Sequence, residues 1–258
     1  MTSVVRANGL DISYTSEGSG PPLLLLHGAT SSATEDWAAQ RPALRGHFRL
    51  YLPDARGHAR TYWDVAQGWD HDWLVDDALA FADALGLVRF QVAGLSMGAT
   101  TALALAMRHP QRVVSAVLAA AAVEHEPRAS VARRLMDPDK IEREDPEWAA
   151  RLSRRHDGVQ GKGAWKRLMA AARDQIVAQR PPTPEMLRRA RVPILLAYGD
   201  RDPWVPLEQA VALRRQLPDA RLFVSPGVGH VVVAERPSAF NTVMLQFLRA
   251  TAELASSP

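Results

Sequence analysis

The chain has 258 residues, of which 47% are apolar and 23% charged, a balance that excludes general disorder and suits one large domain with a sizeable core. Thirty-one basic residues against 28 acidic leave a net charge of only +3, too small to imply a nucleic-acid partner, and the absence of cysteine excludes disulfides, thiolate metal sites and a cysteine nucleophile. No apolar run approaches the ~18 residues that span a bilayer, and residues 1–10 lack a basic stretch followed by an apolar one, so the expectation is a soluble, cytoplasmic protein with no membrane association.

Leu10 to Ser16 alternates apolar and polar residues as a half-exposed strand does, while Leu23 to Leu26 and Arg49 to Leu52 are short apolar runs of buried-strand type. Asp72 to Leu85 then sets Leu74, Val75, Ala78, Leu79, Ala82 and Leu85 at helical spacing. Phe90 to Ala93 is another buried strand, Ala99 to Met107 a small-residue helix suited to close packing on a sheet, and Val113 to Ala119 a further strand. From Glu124 to Arg191 the alternation stops. That stretch carries 16 basic and 11 acidic residues, ends in a cluster of Pro181, Pro182 and Pro184, and is expected to be a helical insertion. Ile194 to Tyr198 and Leu222 to Val224 return as strands, and a last helix is expected over Pro237 to Ala250. Strands alternating with helices predict an α/β fold with a mostly parallel sheet.

The sharpest chemical signal is Gly94, Leu95, Ser96, Met97, Gly98, directly after one predicted strand and directly before a helix. A serine on such a turn needs a strained backbone, glycines two residues to either side avoid collisions, and its hydroxyl projects above the sheet as a nucleophile can. A serine hydroxyl needs a base. Of eight histidines, His230 is the best placed, in the turn Gly227, Val228, Gly229, His230 after the last predicted strand. His58 is its rival, and His27 is expected to shape the loop it sits in. The base needs an acid, and Asp202 follows the Ile194 to Tyr198 strand, giving the chain order serine, acid, histidine. Asp200 is expected to cap that turn or pair with Arg201, and Glu124 is the alternative acid. The amides of Met97 and of Ala29, in the turn His27, Gly28, Ala29, are the candidate donors to an oxyanion.

These motifs, with Asp54 to His58 and with Glu235, Arg236, Pro237 after the histidine, resemble the α/β-hydrolase superfamily along nearly the whole chain. The resemblance implies about eight strands, helices on both faces and a helical cap over 124–191, leaving 1–123 and 192–258 as the core. It implies a serine hydrolase acting on a small or medium carboxylic ester through an acyl-enzyme, with Ser96, Asp202 and His230 as catalytic residues, no cofactor and no metal. Met97, Val205 and Val231 are expected to flank the site, and Trp165 and Met136 either reach it from the cap or pack the cap onto the core. Ser96 in place of aspartate argues against dehalogenases and epoxide hydrolases. Lactonase, amide or carbamate hydrolase and carbon–carbon bond hydrolase remain open, as does a ligand-binding receptor built on the same scaffold.

Overall fold

Short apolar runs become the strands of a single sheet. A computed structural model describes residues 2–256, and among these the strands are β1 (Thr2–Ala7), β2 (Leu10–Glu17), β3 (Pro22–Leu26), β4 (Arg49–Pro53), β5 (Phe90–Leu95), β6 (Val113–Ala119), β7 (Ile194–Gly199) and β8 (Ala220–Ser225). They lie in the order β1-β2-β4-β3-β5-β6-β7-β8. The β1/β2 and β2/β4 pairs are antiparallel and every other pair is parallel, which is the expected mostly parallel eight-stranded sheet. Strand β1 was not expected from its own residues. It is an edge strand paired only with β2, and its short run offers little apolar periodicity to read.

The helices are α1 (Ala33–Asp36), α2 (Arg41–Leu44), α3 (His71–Ala84), α4 (Met97–Arg108), α5 (Arg128–Leu135), α6 (Pro138–Glu144), α7 (Pro146–Gln160), α8 (Ala164–Ala178), α9 (Pro184–Leu187), α10 (Leu207–Gln216), α11 (Val232–Glu235) and α12 (Pro237–Ser256). Both faces of the central strands are covered, so their sequences run apolar without a break. In β3, Leu24 and Leu26 face one cluster with Val75, Phe81, Leu103 and Leu213. Leu23 and Leu25 face the opposite cluster with Trp37, Phe240, Met244 and Leu248. Helices α3, α4 and α10 thus supply one layer, and α12 with the short α1 and α2 the other.

Helices α5 to α9 all fall between β6 and β7. Helices α5 to α8 bury a small core of their own, with Met136, Ile141, Leu152, Trp165 and Met169, against which Ala29, Trp69 and Trp204 pack, whereas Leu187 of α9 joins the sheet cluster. Two Asp-Pro pairs start two of these helices. Asp137 accepts from the amides of Asp139 and Lys140, and Asp145 from that of Trp148, while Pro138 and Pro146 take the first helical positions, where a missing N–H costs nothing. Among the described residues no helix is long and apolar enough to cross a membrane.

Backbones approach closely where α4 meets the sheet. A Cβ on Gly98 would stand 2.4 Å from the Leu26 carbonyl oxygen, and one on Gly94 would stand 2.0 Å from the oxygen of Gly98. Both obstacles are backbone and cannot swing aside. Gly98→Ala is therefore expected to cost more than about 3 kcal/mol or to abolish folding. Gly158→Ala, on an exposed position of α7 with open space around it, is expected to gain about 0.5–1 kcal/mol. Urea unfolding of both variants beside the wild type checks the pair.

Candidate active site

Ser96 joins β5 to α4 with φ +52° and ψ −109°, a conformation that costs a non-glycine residue about 1–3 kcal/mol. It is held from both sides. The Ser96 amide donates to the Ala119 carbonyl on β6 at 2.8 Å, and the Ser96 carbonyl accepts from the Thr100 amide at 3.0 Å. The side chain takes no part in capping α4, which leaves the hydroxyl free for another partner.

That partner is His230, whose Nε2 lies 2.9 Å from Ser96 Oγ. Its Nδ1 lies 2.8 and 3.0 Å from the two carboxylate oxygens of Asp202. The Asp202 side chain is fully buried and also accepts from the amides of Trp204 and Val205. A carboxylate only accepts, so Nδ1–H donates to Asp202, Nε2 is left as an acceptor, and the Ser96 hydroxyl donates to it. Such a chain can draw a proton from the hydroxyl and hold the resulting imidazolium against a buried negative charge. The ring of Trp204 lies against that of His230, 5.4 Å between centroids.

The neighbouring acids do other work. Asp200 accepts from the amides of Gly227 and Val228 and so shapes the turn that carries His230; the expected cap of its own turn and the pairing with Arg201 are not what it makes. Glu235 accepts from the Gly229 amide in the same turn. Glu124, the alternative acid, makes no hydrogen bond to His230 among the described residues.

The loop Gly28–Ser31 borders Ser96. Asp36 accepts from the Gly28 amide at 2.7 Å and from the Ser31 hydroxyl at 2.6 Å. His27 accepts the Ala55 amide at Nε2 and therefore donates from Nδ1 to the Gly28 carbonyl, at 2.7 Å. With the Gly28 oxygen fixed on one side of its peptide, the Ala29 amide points to the other. Among the described residues neither the Ala29 nor the Met97 amide has a hydrogen-bond partner, and both residues line the cavity that holds Ser96.

The rival histidine, His58, does not reach Ser96. Its Nε2 accepts from the Thr30 amide and its Nδ1 donates to the Arg56 carbonyl. His156 on α7 continues the network, accepting from the Ala59 amide and donating to the Thr30 carbonyl, both at 3.0 Å. Arg155 donates to the same Thr30 oxygen at 2.6 Å. The loop beside Ser96 is thus clasped by the core through His58 and by α7 through His156.

The cavity measures about 380 Å³. Of the expected flanking residues, Met97, Val231 and Met136 line it. Trp165 and Val205 do not: Trp165 is enclosed in the core of α5–α8, and Val205 is buried against the sheet with its amide on Asp202. Sequence reasoning missed Trp69, His71, Arg128, Trp148, Arg155, Met169 and Trp204 in the wall. Only Trp204 carried a usable signal, being two residues past Asp202. Among the described residues no group of three His, Asp or Glu side chains could hold a metal ion.

The chain matches the model of the alpha/beta hydrolase family over residues 23–243, and it belongs to that family. It is 27% identical to the 2-hydroxy-6-oxo-2,4-heptadienoate hydrolase of Pseudomonas putida, with 96% of each chain covered. It is 29% identical to the dihydrolipoyllysine-residue acetyltransferase component of the acetoin cleaving system of Pseudomonas putida over 89% of this chain, but spans only 64% of that protein. Among solved structures it resembles the enol-lactonase from Burkholderia xenovorans LB400, with TM-score 0.77, 26% identity, and coverage of 96% of this chain and all of the other.

Burial holds three histidines neutral. It lowers His71 and His156 to about 4 and His58 well below the ordinary value. The unfolded chain protonates them near pH 6.5, so stability is fully present above that pH and is lost as pH falls towards the folded values. Each should remove about 1 kcal/mol per pH unit between pH 6 and 5. Urea unfolding across this window should show a steep loss, and His156→Gln, which keeps one donor and one acceptor, should make the slope shallower by about 1 kcal/mol per pH unit.

Proposed function

We propose that the protein is a serine hydrolase that cleaves a small or medium carboxylic ester through an acyl-enzyme. The observation that carries this is the hydrogen-bonded chain from Ser96 through His230 to the buried Asp202, opening on a largely apolar cavity. Ser96 Oγ attacks the ester carbonyl while its proton passes to His230 Nε2. The carbonyl oxygen, now negative, takes the Ala29 and Met97 amides, which are free for it. As the tetrahedral species collapses, the ester C–O bond breaks and the imidazolium returns its proton to the departing alcohol oxygen. Water, deprotonated by the same nitrogen, then adds to the acyl carbonyl; as the bond to Ser96 Oγ breaks, the imidazolium returns the proton to that oxygen and the acid is released. Asp202 remains a carboxylate throughout and keeps the ring in register.

Helices α5 to α9 act in this reading as a cap that closes the cavity opposite Ser96, through Met136, Trp148 and Met169. The steps apply equally to a lactone, which is a cyclic ester, and the likeness to an enol-lactonase favours that as the second reading.

Hydrolysis of p-nitrophenyl acetate and butyrate should fall by about ten-thousand-fold or more in Ser96→Ala and by a comparable factor in Asp202→Asn. A fluorophosphonate probe should add one mass equivalent to the wild type and none to Ser96→Ala. Labelling without turnover on any ester or lactone would favour the receptor, and labelling retained by Ser96→Ala would overturn the assignment.

A further inference from the structure

Arg128 opens α5, and its side chain is buried in the wall of the cavity that holds Ser96, only 4% exposed. It also lines an adjoining groove of about 420 Å³, bounded by residues of α3 and α4 and by Gln179 to Thr183, so it stands between the two spaces. Its partners are all neutral. Nη1 donates to the Ala122 carbonyl and to Gln179 Oε1, and Nη2 donates to the Gln179 carbonyl, at 2.9–3.0 Å. Nε is buried with no partner, and one hydrogen of Nη2 is unspent.

No carboxylate forms an ion pair with this guanidinium among the described residues; Glu124 acts on it only over a distance, and burial pushes its pKa down. The helix works against it too, because a cation in the first turn of α5 meets the positive end of the dipole. The other guanidinium in the wall, Arg155, already has Glu35 as its counter-ion. A buried charge left without a counter-ion is costly to the fold, and an anionic ligand would remove that cost. Elsewhere in the chain the Nε–Nη2 edge of an arginine is the edge that grips carboxylates, Arg41 on Glu17 and Arg56 on Asp77.

We propose that Arg128 binds a carboxylate carried by the substrate, so that the substrates are esters or lactones with a second, ionised carboxyl group. This rests on the hydrolase reading above and names its substrate class. The cavity between Ser96 and Arg128 would hold the acyl chain, with the reacting carbonyl at one end and the carboxylate at the other.

The test compares mono-p-nitrophenyl esters of succinic, glutaric and adipic acid with p-nitrophenyl butyrate, valerate and hexanoate. In the wild type at least one half-ester should exceed its neutral counterpart in kcat/KM by about tenfold or more, through KM. Arg128→Met should bring that ratio to about one or below, and Arg128→Lys should keep part of it. The ratio is internal to each variant, so a loss of folded protein does not mimic the effect, and Arg128→Gln serves if the Met variant does not accumulate. Wild-type preference for the neutral esters throughout, or a preference that survives in Arg128→Met, overturns the proposal. Calorimetric binding of glutarate and adipate to Ser96→Ala separates it from the reaction. Binding lost in Ser96→Ala/Arg128→Met, with no ester turned over by the wild type, sustains the carboxylate site and rejects the hydrolase reading. Turnover of neutral esters alone, with no Arg128-dependent binding, does the reverse.

Discussion

The first turn of α4 lies so close to the ends of β3 and β5 that no side chain fits between them. Gly94 and Gly98 meet that condition, and the residue midway between them has nowhere to go but up, off the edge of the sheet and into the left-handed half of backbone space. The strain at Ser96 is therefore a product of packing, held by β6 through the Ala119 carbonyl and by α4 through Thr100. The rest of the site is arranged around this fixed point. His230 and Asp202 follow β8 and β7, and the Ala29 loop follows β3, so the groups converge from strand ends that lie on either side of β5.

What the chain revealed before its structure follows from how local each constraint is. Ser96 was legible because the elbow needs small residues at fixed offsets within five positions. The sheet was legible because strands buried on both faces must be apolar throughout, as β5 and β7 are. Two acids so close together, Asp200 and Asp202, were separable only through the turn they occupy, and the structure gives them opposite tasks, one holding backbone amides of the histidine turn and one holding the ring. Strand β1 escaped notice because an edge strand gains order from its neighbour more than from its own pattern. The cavity wall was mostly illegible: Trp69, Trp148, Arg128 and Met169 come from remote segments, and only the docking of α5–α8 brings them together. Trp165 and Val205 show the same limit, since an apolar residue near the site in sequence can as readily turn into a core.

The arginine-rich character of 124–191 also divides once the fold is known. Most of its basic residues lie in solvent or beside acids, as Lys166 does with Asp139 and Glu142 and Arg189 with Glu185, where each pair contributes little in a screened medium. A net charge count weighs these equally with a buried guanidinium that meets only neutral oxygens. Burial, and not abundance, decides which charge matters to a ligand.

The double clasp on Thr30 links the donor loop to two parts of the molecule with unequal footing. His58 lies in the loop after β4, whereas His156 and Arg155 belong to α7, whose segment rests on a small core of its own. Ser96, His230 and Asp202 can all keep their places if α7 lifts, but Thr30 then loses the grip on its carbonyl and the loop is framed from one side alone. Under the proposed chemistry such a molecule keeps its serine, base and acid together and still lacks a fully framed oxyanion loop.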